Sequence, residues 1–119
     1  MKLSVAMCTC NGAAFLPEQL ASIAAQTRRP DELVVCDDHS TDKTVSIVES
    51  FAAKAGFDVR LVVNAQPLGA TKNFEKAIGL CGGDIIALSD QDDVWLPGKL
   101  SRIEAALAGS PAAAMVFAD

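Results

Sequence analysis

Apolar residues along the chain fall into short runs separated by stretches of helical period. Leu3 to Thr9, Leu33 to Cys36, Val59 to Val63, Ile85 to Ser89 and Ala113 to Ala118 are too short for helices. They are continuous rather than alternating, as strands covered on both faces are. The first intervening segment follows Asn11-Gly12, carries Pro17 in its opening turn, and lines one face with Leu16, Leu20, Ile23, Ala24 and Thr27 before Pro30 ends it. The second takes Ser40 or Thr41 as N-cap with Asp42 in its first turn, and buries Val45, Val48, Ala52 and Ala55 before Gly56. Ala70, Phe74, Ala77, Ile78 and Cys81 form a third stripe, closed by Gly82-Gly83. Leu96, Leu100, Ile103 and Leu107 form a fourth, with Pro97 near its first position and Gly109 past its end. These stripes read as core.

Strand and helix alternating in this way predict an α/β fold: a mostly parallel, doubly wound, Rossmann-like sheet with helices on both faces. Ligands of such sheets bind outside the carboxyl ends of the strands. The strand-to-helix loops "TCNG", "DDHSTD", "NAQPLG" and "DQDD" hold the unusual polar residues, whereas "TRRPDE", "AGFD", "CGGD" and "GSPA" on the opposite rim read as turn chemistry. One rim is therefore the candidate site.

Composition narrows what that rim can do. Half of the residues are hydrophobic, so the chain buries a genuine core. Ten basic against 15 acidic residues give a net charge of −5 with no Lys/Arg run, which excludes a nucleic-acid partner. No apolar run approaches a membrane span, and the expected location is cytoplasmic, extending to the cytoplasmic face of the membrane through parts not present. Cys8, Cys10, Cys36 and Cys81 lack paired spacing and read as reduced, buried core cysteines.

The acidic loops carry the chemistry. In extended chain Asp90 and Asp92 share a face while Asp93 turns aside. Two carboxylates held that close repel unless neutralised, and hard oxygen ligands select Mg²⁺ or Mn²⁺, which complete their shells with water and phosphates. The alternative, a solvated cap with Asp93 on the helix dipole, explains one carboxylate and not three. Asp37 and Asp38 end the second strand on the same rim, where a carboxylate can accept from a base N–H or a ribose hydroxyl. Neither a GxGxxG nor a GxxxxGK[ST] sequence occurs, so no glycine nest is available for phosphate.

"VAMCTCNGAAFLPEQLASIAAQT", "ELVVCDDHSTDKT", "NAQPLGATKNFEKAI" and "GGDIIALSDQDDVWLPGKL" together resemble the N-terminal half of family-2 glycosyltransferases of the GT-A type, and within them the bacterial rhamnosyltransferase-like branch. The resemblance covers almost the whole chain in order. It implies that residues 1–119 form the nucleotide-sugar-binding half of an inverting, metal-dependent enzyme of polysaccharide or cell-surface glycan synthesis. Its partners would be a thymidine- or uridine-linked sugar diphosphate and a saccharide acceptor. By the same likeness Asp38 would face the pyrimidine base with Asp37 beside it, Thr9 and Asn11 would line the nucleoside pocket, and Lys72 would balance the phosphates. Asp90 would contact the ribose and, with Asp92, the metal.

Sugar transfer also needs a general base within hydrogen-bond reach of the acceptor hydroxyl. After Asp93 the only acids are Glu104 and Asp119, and neither fits the family position, so the base is expected beyond residue 119 and no catalytic residue is assigned within the chain. Two departures stand out: Cys10 occupies a position where the family commonly has Tyr, and His39 one where Gly is usual. His39 reads as a loop residue tolerating left-handed backbone. Trp95 reads as a core or rim anchor.

Two rivals come from other classes. Asp90-Gln91-Asp92-Asp93-Val94 also fits the DxDxV of haloacid dehalogenase-like phosphatases, but that fold places the motif on its first strand. A receiver-like, non-catalytic nucleotide-sensing module would want Asp where this chain has Asn64.

Overall fold

The computed structural model describes residues 2–90 and 93–107, together with the backbone of 115–117. Strands β1 (Leu3–Thr9), β2 (Glu32–Asp37), β3 (Asp58–Val63), β4 (Ile85–Asp90) and β5 (Met115–Phe117) alternate with helices α1 (Leu16–Ala24), α2 (Thr44–Lys54), α3 (Ala70–Leu80) and α4 (Lys99–Leu107). The strands form a single sheet in the order β3-β2-β1-β4-β5, and every pairing is parallel. The doubly wound α/β architecture expected from the sequence is the one observed. Its winding reverses between β1 and β4, where Cys8 pairs with Cys36 on one side and Asp90 on the other. At such a switch point the flanking loops diverge and leave a crevice.

The strand residues divide by parity, as a pleated sheet requires. Leu3, Val5, Met7, Leu33, Val35, Ile85 and Ala87 share a cluster with Leu16, Leu20 and Ile23 of α1, Val48 of α2 and Leu100 and Leu107 of α4. Ala6, Val34, Cys36 and Ile86 meet Ala77 of α3, with Ile78, Leu80 and Cys81 packed alongside. Three helices thus bury into one cluster and α3 into the other. β3 is an edge strand, and its alternation of exposed and half-buried positions shows one uncovered flank.

Several boundaries differ from expectation, each through a tertiary hydrogen bond. α1 ends at Ala24, well short of Pro30, and Thr27 is loop, its N–H donating to Pro97 O at 2.9 Å. α2 begins at Thr44 rather than after Ser40 or Thr41, because Ser40 and Thr41 are drawn off to Asp37 and Asn11. Asp42 lies before the helix and its Oδ1 accepts from Thr44 N at 2.9 Å. α4 begins at Lys99, leaving Leu96 outside it and 69% exposed. The segment before α4 is strapped to α1 instead: Trp95 N donates to Ser22 Oγ, and Gln26 Nε2 to Leu96 O. Trp95 is buried in the larger core cluster. Among the cysteines Cys36 is buried and Cys8 and Cys81 are half-buried, but Cys10 is exposed because it lies one residue past the end of β1.

Among the described residues no helix is long and apolar enough to cross a membrane.

Candidate functional site

A cleft of about 380 Å³ opens at the carboxyl ends of the strands. Cys8, Thr9 and Cys10 form its floor at the end of β1, Asp38 stands past β2, Asp90 ends β4, and Ala70, Asn73 and Phe74 of α3 form a wall. Its size lies in the range of small-molecule sites.

The two acids after β2 have separate tasks. Asp37 is fully buried and absent from the cleft lining. Its Oδ1 accepts from Thr9 Oγ1 at 2.7 Å and Ser40 Oγ at 2.6 Å, and its Oδ2 from Ser40 N at 2.8 Å. That carboxylate latches the β2–α2 loop to the end of β1. Asp38 turns into the cleft, its Oδ1 accepting from Leu68 N at 2.6 Å and Asn64 Nδ2 at 3.1 Å, its Oδ2 from Gly69 N at 3.0 Å. The Leu68 amide, with Asn64 and Gly69, holds this carboxyl below the usual carboxylate range against partial desolvation. A carboxylate has about four acceptor positions. Among the described residues three donors reach Asp38, which leaves one acceptor position, on Oδ2.

Asn11, at φ 50°, lies outside the lining and staples two loops. Its N–H donates to Ser40 Oγ at 2.9 Å, and its Oδ1 accepts from Thr41 N at 2.8 Å. Beside it, Gly12 N donates to Thr44 Oγ1 and Ala13 N to Asp42 Oδ2. His39, at φ 62°, is an exposed loop residue whose Nδ1 lies 3.2 Å from Asn64 O. Lys72 is exposed on α3 and is not among the lining residues. Asp92 lies outside the described residues.

The structure thus brings Thr9, Asp38 and Asp90 together in the cleft, while Asn11, Asp37 and Lys72 stand apart from it. Electrostatically the floor registers both acids: burial first, then Cys36, Asp90 and Asp38, push the Cys8 thiol up to about 12. Cys10 is also raised, by desolvation and then by Asp38 and its neighbours.

Sequence reasoning overlooked five contributors. Gln19, fully buried on α1, reaches Ser89 Oγ and the Asp90 carbonyl with its Nε2 and so positions the end of β4. Asn73, buried on α3, donates from Nδ2 to Cys36 O at 2.8 Å and accepts at Oδ1 from Asn64 Nδ2 at 2.8 Å. Lys76 Nζ donates to Asn64 Oδ1 at 2.8 Å. Phe74, read from periodicity as core, belongs to neither core cluster and lines the cleft, as does the exposed Ala70. The available signal was a polar residue on an apolar helical face, as at Gln19 between Leu16, Leu20 and Ile23.

Residues 4–118 match a sequence model described as Glycosyl transferase family 2. The chain is 36% identical over 100 residues to the dTDP-rhamnosyl transferase RfbG of Shigella flexneri, covering 81% of this chain and 35% of that protein. It superposes on S. aureus TarS 1–349 in complex with UDP-GlcNAc with a TM-score of 0.83 at 29% identity, over 92% of this chain and 32% of that one. A mannosyltransferase from Pyrobaculum calidifontis, in complex with GDP-Man and Mn²⁺, gives 0.82 at 28% identity, over 90% and 32%. The chain spans about a third of the length of the curated relatives it matches.

Proposed function

The chain belongs to glycosyl transferase family 2, and from that premise we propose that the cleft binds the nucleoside diphosphate of a sugar donor for transfer to a saccharide acceptor. One observation carries the reading: Asp38 and Asp90, more than fifty positions apart in sequence, line the same cleft at the switch point of the sheet. In this reading Asp38 offers its remaining Oδ2 position to an imide N–H of uracil or thymine, and Thr9 lies beside the nucleoside. Asp90, held from behind by Gln19, faces the ribose and phosphates. UDP-GlcNAc and GDP-Man in the two structural neighbours, and the dTDP-sugar named for RfbG, support a nucleotide-sugar donor.

A divalent cation suits this donor set. Among the described residues no three His, Cys, Asp or Glu side chains converge to hold a metal. Mg²⁺ and Mn²⁺ sites that use one or two carboxylates and leave the remaining positions to water and phosphate fit such a rim. Asp90 and Asp92 would hold the ion, which supplies Lewis-acid neutralisation of the departing diphosphate. Mn²⁺ in the mannosyltransferase neighbour supports it. The chain's own residues do the rest: Asp38 orients the base, the Asp37 latch fixes the floor, and Gln19 holds Asp90. Donor binding is the task we assign to them.

The test is calorimetric titration of the chain with UDP, dTDP and GDP, with and without Mn²⁺. Binding that needs the metal is expected, lost in Asp92→Ala and weakened about tenfold or more in Asp38→Ala, the scale of a hydrogen bond to a charged group. Binding that is indifferent to both substitutions refutes the assignment.

A further inference from the structure

The β1 side of the cleft is lined by Cys8, Thr9 and Cys10, none of which carries a flat apolar side chain. The α3 side presents one. Phe74 is the single aromatic among the described lining residues, in a chain with no tyrosine. The other described rings are engaged or lie elsewhere: Phe51 and Phe57 pair at 6.1 Å against the core, Trp95 is buried, and Phe15 is 59% exposed outside the cleft.

The ring's position is held by the same groups that hold Asp38. Gly69, at φ 88°, turns the chain into α3, and the Asp38 carboxylate clamps the Leu68 and Gly69 amides just before that turn. One turn on, buried Asn73 ties α3 to Cys36 O and fixes the helix's rotation. Phe74 follows directly, half-buried and outside both core clusters. A ring left out of the core yet anchored on both sides costs burial that a core position would have gained.

We propose that Phe74 is the stacking wall for the donor's nucleobase, a specificity-neutral platform beside the edge-reading Asp38. This rests on the donor-site reading above. A π-face accepts every base, so the ring supplies affinity and the carboxylate supplies choice among bases.

The test titrates the full chain, in Mn²⁺, with UDP, GDP and inorganic pyrophosphate. Phe74→Leu, which fills the space without a flat face, should weaken UDP and GDP alike by roughly tenfold or more, and leave pyrophosphate within about twofold. Phe74→Tyr should retain both. The uracil H5 and H6 resonances of bound UDP should move upfield in wild type and not in Phe74→Leu, a ring-current effect that a packing role would not produce. Near-wild-type UDP affinity in Phe74→Leu, or an equal loss for pyrophosphate, overturns the proposal. Wild type that binds pyrophosphate and UDP equally well also overturns it while leaving the phosphate site intact; wild type that binds neither overturns the donor reading itself.

Discussion

Replacing Asn73 with Ala tests whether the cleft wall is fixed as described. The side chain is 1% exposed and makes two hydrogen bonds of 2.8 Å, to Cys36 O and from Asn64 Nδ2. Each contributes about 1 kcal/mol net, and the N–H of the buried Asn64 amide that loses its acceptor costs a further ~1 kcal/mol or more. Alanine recovers roughly 0.6 kcal/mol of helix propensity. The expected loss is therefore about 2 kcal/mol. Urea denaturation followed by fluorescence reads it directly, since Trp95 is the only tryptophan and is buried. With a slope of about 2 kcal/mol per M, the midpoint should fall by roughly 1 M without a change of slope. A double-mutant cycle with Asn64→Ala should return a coupling of about 1 kcal/mol, because the two amides share one bond. A midpoint within about 0.2 M of wild type, or a coupling near zero, would refute the reasoning.

Three further expectations follow from charge and space. The Leu3 amide holds Asp31 below the usual carboxylate range, the Thr44 side chain does so for Asp42, and the Leu68 amide for Asp38. Folded carboxyls that bind protons less readily than unfolded ones contribute stability that is present above the unfolded value near 4 and is lost as pH falls through the folded values. The melting temperature should accordingly be flat above about pH 5 and decline steadily toward pH 2; a flat profile down to pH 3 contradicts this. Iodoacetamide at pH 8 should modify exposed Cys10 before half-buried Cys8, whose thiol is pushed up to about 12, and UDP with Mn²⁺ should slow the reaction. Peptide mapping that finds Cys8 or Cys36 labelled first would count against the geometry. Gly83→Ala would bring a Cβ to 2.8 Å from Ser4 N and 3.0 Å from Ile85 O, costing about 1 to 3 kcal/mol in a thermal melt. Gly79→Ala, which meets nothing within 4 Å on α3, should instead stabilise by up to about 1 kcal/mol; equal melting temperatures for the two would discredit the packing.

What could be read from the sequence was what burial alone dictates. β1 and β4 were legible because both of their faces are covered, so Leu3 to Met7 and Ile85 to Ala87 had to be apolar at every step or small and satisfied. Four helices in order, a parallel sheet and one polar rim followed from that. The boundary misreadings share one cause: a hydrogen bond between elements competing with a local one. Leu96 fits the α4 stripe by spacing, yet Gln26 and Ser22 of the α1 region hold its loop open. Ser40 is a good N-cap by type, but Asp37 takes both its amide and its hydroxyl. In the same way "DD" in the sequence gives two equivalent acids, and only the pairing of Asp37 with Thr9 and of Asp38 with the α3 loop tells the latch from the one facing the cleft. Phe74 fits a core stripe by spacing alone, because a 3.6-residue period cannot say where along a helix the sheet beneath it stops.

The bonds that join Asn11, Gly12 and Ala13 to Ser40, Thr41, Asp42 and Thr44, together with the grip of Asp38 on Leu68 and Gly69, tie three of the rim's loops into one frame before any ligand arrives. A guest entering such a frame finds little left to order, so it forfeits little conformational freedom of its host on arrival. In stopped-flow mixing the observed rate should therefore climb linearly with nucleotide concentration and show no plateau, the kinetic mark of a lock already cut to its key.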